Sequence, residues 1–555
     1  MVDAVTGCAI VFNGEIYNFK ALRALLEGRG QAFRGSSDTE VLLQGLVNEG
    51  REFLARLQGM YAFAFYDPRT TEVLLARDHL GIKPLYYSRS RDGIIFASEI
   101  RAVLNAGMVG RNICREGIYG LFCYGSVQHP HTLFEGVYSL APGSYLVVRP
   151  SGELDFGFFW QFPTPANGIT TDVAVAETKE TVSLAVKSHL VSDVPVGIFL
   201  SAGVDSTIIA GLAAQFSPGI RSFTVGFDNS MDRGELEHAA QFARECRLEH
   251  TSLILRDGEA AEDAEHWLSS MDSPSVDGLN TYVISRAIRR EGITVALSGL
   301  GGDELFCGYS TFGRVLRLLR LQALMPSFLR QQCASLIRCL SSRHPALEKL
   351  ADLISVNEDA PLLTARTRRL FSDHQLGEFG LTTPRTGGHR ADLSAPFSRT
   401  SDTISAICQV ECLGYMMNTL LRDTDANSMA HSLEVRVPFL DRAVVEFASS
   451  LPGNVRYNSK LPGKYLLRAA FSDLLQHTRK QSGKRGFTLP MPRWMRTSMQ
   501  AMCQQNIDEL ISRDLLPAAY LQETWRRFVT SGDDRQWSRA MLLVILNSYL
   551  RRSLS

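Results

Sequence analysis

Two runs of small residues, each holding carboxylates, are the positions in this chain best suited to chemistry. Ser201–Ser206 (SAGVDS) sets Asp205 among serine, alanine and glycine, and Ser298–Tyr309 (SGLGGDELFCGY) sets Asp303 and Glu304 among glycines. Small side chains let the backbone approach phosphate closely, and free amides at a helix start point at an anion. Ser201 and Ser206 offer hydroxyl donors to such a group, and Asp205 offers the oxygens that hold Mg2+ against phosphate. One such loop alone serves equally as a tight turn. Two of them can clamp Mg2+ and a pyrophosphate from both sides. No GxxxxGK[ST] occurs, so this is not a Walker-type P-loop.

The elements that position these loops follow from the apolar pattern. VPVGIFL (194–200) is a continuous apolar run ahead of the first loop, and the helical TIIAGLAAQ follows it. FTVGF (223–227), HTSLIL (250–255) and ITVALSG (293–299) alternate with the helical segments 235–246 and 281–292. Buried strands alternating with helices imply an α/β fold with a doubly wound parallel sheet, whose ligands lie beyond the carboxyl ends of strands at a switch point. Residues 1–155 read as a separate region rich in strands: GMYAFAFYD (59–67), VLLARD (73–78), GIIFASE (93–99) and SYLVVRP (144–150). A helix is expected over NFKALRALLEGRG, with Leu22, Leu25 and Leu26 on one face and Gly30 past its end. QFPTPANGITT (161–171) reads as a linker, and residues 310–555 as largely helical. VLRLLRLQALMPSFLR (315–330) fits either a basic amphipathic surface or a helix with leucines in the core; the second is the expectation.

Composition narrows the class. At 555 residues two or three domains are expected, and 45% hydrophobic with 21% charged residues is ordinary for a globular protein. Lys+Arg and Asp+Glu number 58 each, so no excess charge argues for nucleic acid or a membrane surface, and no apolar run reaches the ~20 residues of a membrane span. Ten cysteines without paired spacing fit cytoplasmic thiols, with Cys408 and Cys412 as core residues. MVDAVTGCAIVF lacks the features of a secretory signal, so the cytoplasm is the expected location.

SAGVDS resembles the pyrophosphate loop of ATP pyrophosphatases, usually SGGxDS, with Ala202 at its second position. Together with FTVGF, SGLGGDELFCGY, SMAHSLEVRVPFLD (428–441), GKYLLR (463–468) and KRGFTLP (484–490), it resembles glutamine-dependent asparagine synthetases over nearly the whole chain, in the family's order. The resemblance implies an N-terminal-nucleophile-type α+β sandwich, incomplete here, over residues 1–155, then an ATP-pyrophosphatase domain with a helical C-terminal part over 172–550. It implies ATP bound by Leu200, Ser201, Gly203, Asp205, Ser206, Val225, Ser298 and Gly299, with Asp205 and Asp303 as Mg2+ ligands. Lys464 would neutralise charge near the α-phosphate and acyl-adenylate; as a residue on its own it could equally be an exposed helix lysine. Leu300 stands where many members carry Glu or Asp, and leucine can neither accept a proton from an attacking amine nor orient it.

FNGEIYNF (12–19) and SSDTEVLL (36–43) resemble the family's glutamine-binding segments. By that resemblance Asn13 and Gly14 form an oxyanion hole, and Glu15 and Asp38 hold the α-ammonium of glutamine. The family's nucleophile is a cysteine at the mature N-terminus. This chain starts Met1-Val2-Asp3, and Cys8 is internal and reads as a buried residue, so no glutamine hydrolysis is expected from the polypeptide as written. An upstream start is the expectation, since loss of inner strands would bare sheet edges. The implied reaction converts aspartate to asparagine through an aspartyl-AMP, with ATP, Mg2+ and glutamine or ammonia as small-molecule partners, in a homodimer. A relative forming another amide (a β-lactam, a peptide macrocycle, an amidated glycan) stays open, as does a non-catalytic nucleotide-binding protein.

Overall fold

The computed structural model describes all residues except 91–92, 167, 228–232, 256–259, 341–344, 382–399, 477–488 and 555. Most of KRGFTLP therefore lies outside the described residues. The N-terminal part holds β1 (Ala9–Ile16), β2 (Gly59–Asp67), β3 (Glu72–Arg77), β4 (Tyr86–Ser90), β5 (Gly93–Ala97), β6 (Val137–Ser139), β7 (Ser144–Val148) and β8 (Leu154–Phe158), with helices α1 (Phe19–Glu27) and α2 (Asp38–Glu49). One antiparallel sheet runs β1-β2-β3-β7-β8 and a smaller one β5-β4-β6. Strand β2 shows why they stack. Its odd-numbered Tyr61, Phe63 and Phe65 pack among Leu22, Leu26, Val41 and Leu46 of the two helices. Its Ala62 and Ala64 face Leu85 and Leu140 on the side of the smaller sheet. Period-two alternation buries both faces, the large side chains towards helices and the small ones towards the second sheet.

The rest of the chain is built on β9 (Val196–Phe199), β10 (Arg221–Phe227), β11 (Glu249–Leu255), β12 (Val295–Leu297) and β13 (Glu434–Arg436), in the order β11-β10-β9-β12-β13 with every pair parallel. The chain winds outward from β9 in both directions, so the order reverses between β9 and β12, where a doubly wound sheet opens its crevice. Helices α3 (Thr171–His189), α4 (Val204–Phe216) and α5 (Leu279–Arg290) lead into or out of these strands, and the short α6 (Gly302–Leu305) follows β12. The three-residue β13 was not legible as a strand, because residues 428–441 carry no apolar run long enough to signal one.

Segment 161–171 is no free linker. Trp160, just before it, and Phe162 are buried in the same core as Val182, Ile198 and Ile208, and Trp160 Nε1 donates to Glu446 Oε1 at 2.8 Å. The Ala166 amide donates to the Ser450 carbonyl at 2.7 Å, so the crossing is held at Phe162 and Ala166. Across the same junction Lys83 Nζ donates to Asp425 Oδ1 at 2.8 Å.

The leucine-arginine stretch divides between the two expectations. Val315 and Leu318, on α7 (Ser310–Leu324), are in the core, whereas Leu324 and Phe328 are 85% and 58% exposed. Helices α9 (Thr403–Glu411) and α10 (Arg422–Met429) flank a π-helical turn series, Cys412–Leu421, and α8 (Ala360–Thr367) packs on α9. Cys8, Cys408 and Cys412 are all buried. No described helix is long and apolar enough to cross a membrane.

Candidate active site

The loop after β9 is knitted by its own hydroxyls. Ser201 Oγ and Ser206 Oγ lie 2.8 Å apart, the Ser201 amide donates to Ser206 Oγ at 3.1 Å, and the Gly203 amide donates to Ser201 Oγ at 3.2 Å. These contacts shape the turn that leads into α4, whose N-terminal end begins at Val204 and offers backbone amides of the kind that bind anions. Leu200 is held from the neighbouring strand by Thr224, whose Oγ1 donates to the Leu200 carbonyl at 2.8 Å, and Val225 follows on β10. Ser298 donates its amide to the Arg436 carbonyl at 2.9 Å, and Gly299 packs so tightly on the first loop that a Cβ there would lie 2.9 Å from Asp205 Cβ and the Ser206 nitrogen. All eight positions therefore lie at or near the carboxyl ends of β9, β10 and β12.

Between the two loops the acidic side chains converge. Lys464 Nζ lies 2.5 Å from Asp205 Oδ2 and 2.7 Å from Asp303 Oδ1. Lys464 is buried, not an exposed helix lysine, and takes a left-handed backbone (φ 62°) at the start of α11 (Tyr465–Ala470), which turns its side chain inward. Burial pulls its ammonium towards neutrality, but the two carboxylates outweigh burial and hold it above the usual lysine range. Glycines make room: a Cβ on Gly302 would lie 2.5 Å from Asp205 Oδ1, and one on Gly308 would lie 2.0 Å from Asp303 Oδ1 and 2.3 Å from Lys464 Cε.

Asp205 and Asp303 fit a divalent ion in kind, since both present hard oxygen donors to one cationic position already occupied by an ammonium. No group of three or more metal-binding side chains occurs among the described residues, so the other ligands of Mg2+ would be phosphate oxygens and water, the usual arrangement for that ion.

Behind Asp303 lies a buried network that sequence reasoning missed. Tyr309 donates its hydroxyl to Glu304 Oε1 at 2.6 Å. Burial, against the lowering effect of that hydroxyl, pushes the Glu304 carboxyl up to about 8. The Arg368 guanidinium sits 4.4 Å from the ring centres of both Tyr309 and Tyr415 and bonds Glu411 Oε2 at 2.6 Å. Arg368 follows α8 in a stretch without a motif; only the packing of α8 on α7 and α9 delivers it. Leu300 packs against the apolar core cluster that includes Ile198 and Phe439.

The N-terminal candidates are less closely grouped. Asn13, Gly14 and Glu15 lie on β1, and Asp38 Oδ2 accepts from the Ile16 amide at 3.0 Å. Gly14 faces β2 so closely that a Cβ would meet the Met60 carbonyl at 2.0 Å. Asn13 Nδ2 donates to Ser98 Oγ at 3.2 Å. Glu15 reaches across to Arg436 at 3.2 Å, so the carboxylate expected to hold an α-ammonium already has a cationic partner from β13. Burial nevertheless raises the Glu15 carboxyl to about 7.

A family model described as asparagine synthase matches residues 177–551, more than half of the chain. The chain belongs to the asparagine synthase family. Residues 1–160 match the glutamine amidotransferase domain. Among curated relatives, asparagine synthetase [glutamine-hydrolyzing] 1 of Bacillus subtilis is 30% identical over 90% of this chain and 78% of its own length. Asparagine synthetase [glutamine-hydrolyzing] 3 of the same organism is 26% identical over 84% and 73%. Amidase chry2 of Gibberella zeae is 25% identical over 89% and 78%. A solved glutamine phosphoribosylpyrophosphate amidotransferase of B. subtilis is 18% identical over 45% of this chain and 62% of that one, with a TM-score of 0.22. Family membership makes the chain an enzyme of the carbon–nitrogen ligase class, one that uses ATP as a substrate.

Proposed function

We propose that this member of the asparagine synthase family activates the side-chain carboxyl of aspartate as an aspartyl-adenylate and converts it to asparagine, releasing AMP and pyrophosphate. The observation that carries the reading is the meeting of Asp205, Asp303 and Lys464 at the switch point of a parallel sheet.

The amides at the start of α4 bind and orient the phosphate chain beside the loop shaped by Ser201 and Ser206, while Leu200, Val225, Ser298 and Gly299 form the strand-end walls for the nucleotide. Asp205 and Asp303 would hold Mg2+, which supplies charge neutralisation at the phosphates when bound. Lys464, beside both carboxylates, would neutralise the negative charge that grows on the α-phosphate and the leaving pyrophosphate. Such electrostatic help is worth on the order of 100- to 1,000-fold in rate. Asn13 and Gly14 would stabilise the oxyanion of a glutamine amide, with Glu15 and Asp38 near its α-ammonium; free ammonia is the alternative nitrogen source.

Leu300 supports a second reading. Its half-buried side chain packs against the apolar core, and leucine offers neither acid nor base to a reacting amine. A ligase acting on another carboxylate fits that wall as well as one for aspartate. Incubation with ATP, Mg2+, ammonium chloride and aspartate, followed by assay of AMP, pyrophosphate and asparagine, separates the two. Equal formation of the three products supports the aspartate reading. AMP release that ignores aspartate but responds to another acid replaces it with the second.

A further inference from the structure

The chain's even balance of charge conceals a local excess. Residues 305–347 hold six arginines and no Asp or Glu. Two of the six are engaged: Arg330 is buried and bonds Asn357 Oδ1 at 3.0 Å, and Arg338 bonds Asp352 Oδ1 at 3.1 Å. Arg314, Arg317 and Arg320 are exposed, and their own segment offers them no carboxylate. They recur every third residue along α7, opposite the face that buries Phe312, Val315 and Leu318.

The same outward side carries large apolar groups. Leu324 falls four residues after Arg320 and seven after Arg317, which sets it among the arginines on that face. The chain then turns at Met325 and Pro326 into the helix Ser327–Leu340, which packs Ala334 inward and leaves Phe328, Leu329 and Leu336 exposed. Leu336 follows Leu329 by seven residues and Phe328 by eight, so the three share one face. The helix Pro345–Ser355 packs against this one and adds Leu347 and Leu350, both exposed and three residues apart. Isolated exposed leucines need no explanation, but a succession of them on consecutive helices marks an interaction surface.

We propose that the turn between α7 and Ser327–Leu340 docks on a bilayer surface bearing anionic headgroups. Leu324, Phe328 and Leu329 enter the acyl boundary, while Arg314, Arg317 and Arg320 extend their stems along it and hold their guanidiniums at the headgroups. Each such cation near an anionic surface is worth about fivefold in affinity. A second copy of the chain fits less well. A two-fold contact sets a patch against itself, and here arginines would meet arginines with no carboxylate of 305–347 between them. A nucleic acid would pair the arginines but leave the leucines in water. At 1.5 Å per residue the turn lies about 22 Å along α7 from Tyr309, so insertion to a depth of about 5–10 Å does not reach the loop that carries Asp303. Docking therefore stands apart from the proposed reaction.

Vesicle flotation with the full chain compares phosphatidylcholine alone with phosphatidylcholine holding about 30% phosphatidylserine. Binding to the anionic vesicles is expected to be at least about tenfold tighter, and to weaken as salt shortens the Debye length from about 10 Å at 0.1 M to about 3 Å at 1 M. Arg317→Gln combined with Arg320→Gln should weaken it about 25-fold, from two cations at about fivefold each. Leu324→Ser combined with Phe328→Ser should weaken it at least about tenfold. Both double variants should keep the wild-type melting temperature, because all four side chains are exposed. Absent binding to anionic vesicles, equal binding to both kinds, or equal binding by wild type and variants overturns lipid docking. Binding lost by the arginine variant but kept by the leucine–phenylalanine variant shows plain capture of a polyanion and overturns it too. Sedimentation velocity reads the remaining occupant: a dimer that the leucine–phenylalanine variant dissociates, without vesicle binding, gives the face to a second copy instead.

Discussion

Asp205 and Asp303, on loops that follow different strands, face each other across a single ammonium, with Lys464 Nζ 2.5 Å from one carboxylate and 2.7 Å from the other. Two buried like charges this close require a cation between them, and Lys464 supplies it. On the proposed reading, Mg2+ held by Asp205 and Asp303 would take over that neutralising role and leave Lys464 to the phosphate.

Replacing Lys464 with alanine should therefore separate the two roles. AMP formation is expected to fall on the order of 100- to 1,000-fold. Removing one partner of a buried ion pair costs about 3–5 kcal/mol, so the variant should also melt earlier without metal. Added Mg2+ should raise its melting temperature more than it raises that of the wild type. An equal Mg2+ response in both proteins would show that the ion does not take the ammonium's place.

Gly302 and Gly308 should tolerate no side chain. The added methyl of Gly308→Ala would meet Asp303 Oδ1 at 2.0 Å and Lys464 Cε at 2.3 Å, and that of Gly302→Ala would meet Asp205 Oδ1 at 2.5 Å. Either variant should lose AMP formation at least about tenfold, since displacement of charged groups by about 1 Å can cost 100-fold. Gly377→Ala, which meets nothing within 4 Å, is the control expected to keep full activity.

Glu304 makes stability depend on pH. Its folded carboxyl titrates at about 8 against an ordinary value of 4.5, so the folded state binds more protons than the unfolded state between those values. Stability contributed by the protonated form is complete below about 4.5 and declines as pH rises towards 8. Glu304→Gln should flatten the fall of melting temperature between pH 5 and pH 8. A slope unchanged from wild type would place the titrating group elsewhere.

Arg368 should prove irreplaceable by lysine. It bonds Glu411 and stacks on Tyr309 and Tyr415 at 4.4 Å each, and Glu411 has no side-chain exposure. Arg368→Ala leaves that carboxylate buried and unpaired, at a cost of about 3–5 kcal/mol. Lysine has neither the planar face nor the paired donors, so urea denaturation should show Arg368→Lys recovering less than half of the loss.

The sequence by itself determined the alternation of apolar strands and helices, the two strand-end loops and the order of motifs, because each depends on residues adjacent in the chain. The continuous apolar run around Val196–Phe199 signals a strand, and the glycines ahead of Asp303 signal a close turn, which here opens into the short helix Gly302–Leu305. Tertiary structure alone decided where side chains went. It turned the Ser201 and Ser206 hydroxyls upon each other, gave Glu15 to Arg436, packed the half-buried Leu300 against the core and pinned the apparent linker through Trp160 and Phe162. It also set Arg368 between two tyrosines. Charge balance and hydrogen-bond satisfaction are sums over neighbours in space, and Lys464 and Asp205 become neighbours only when the chain has folded.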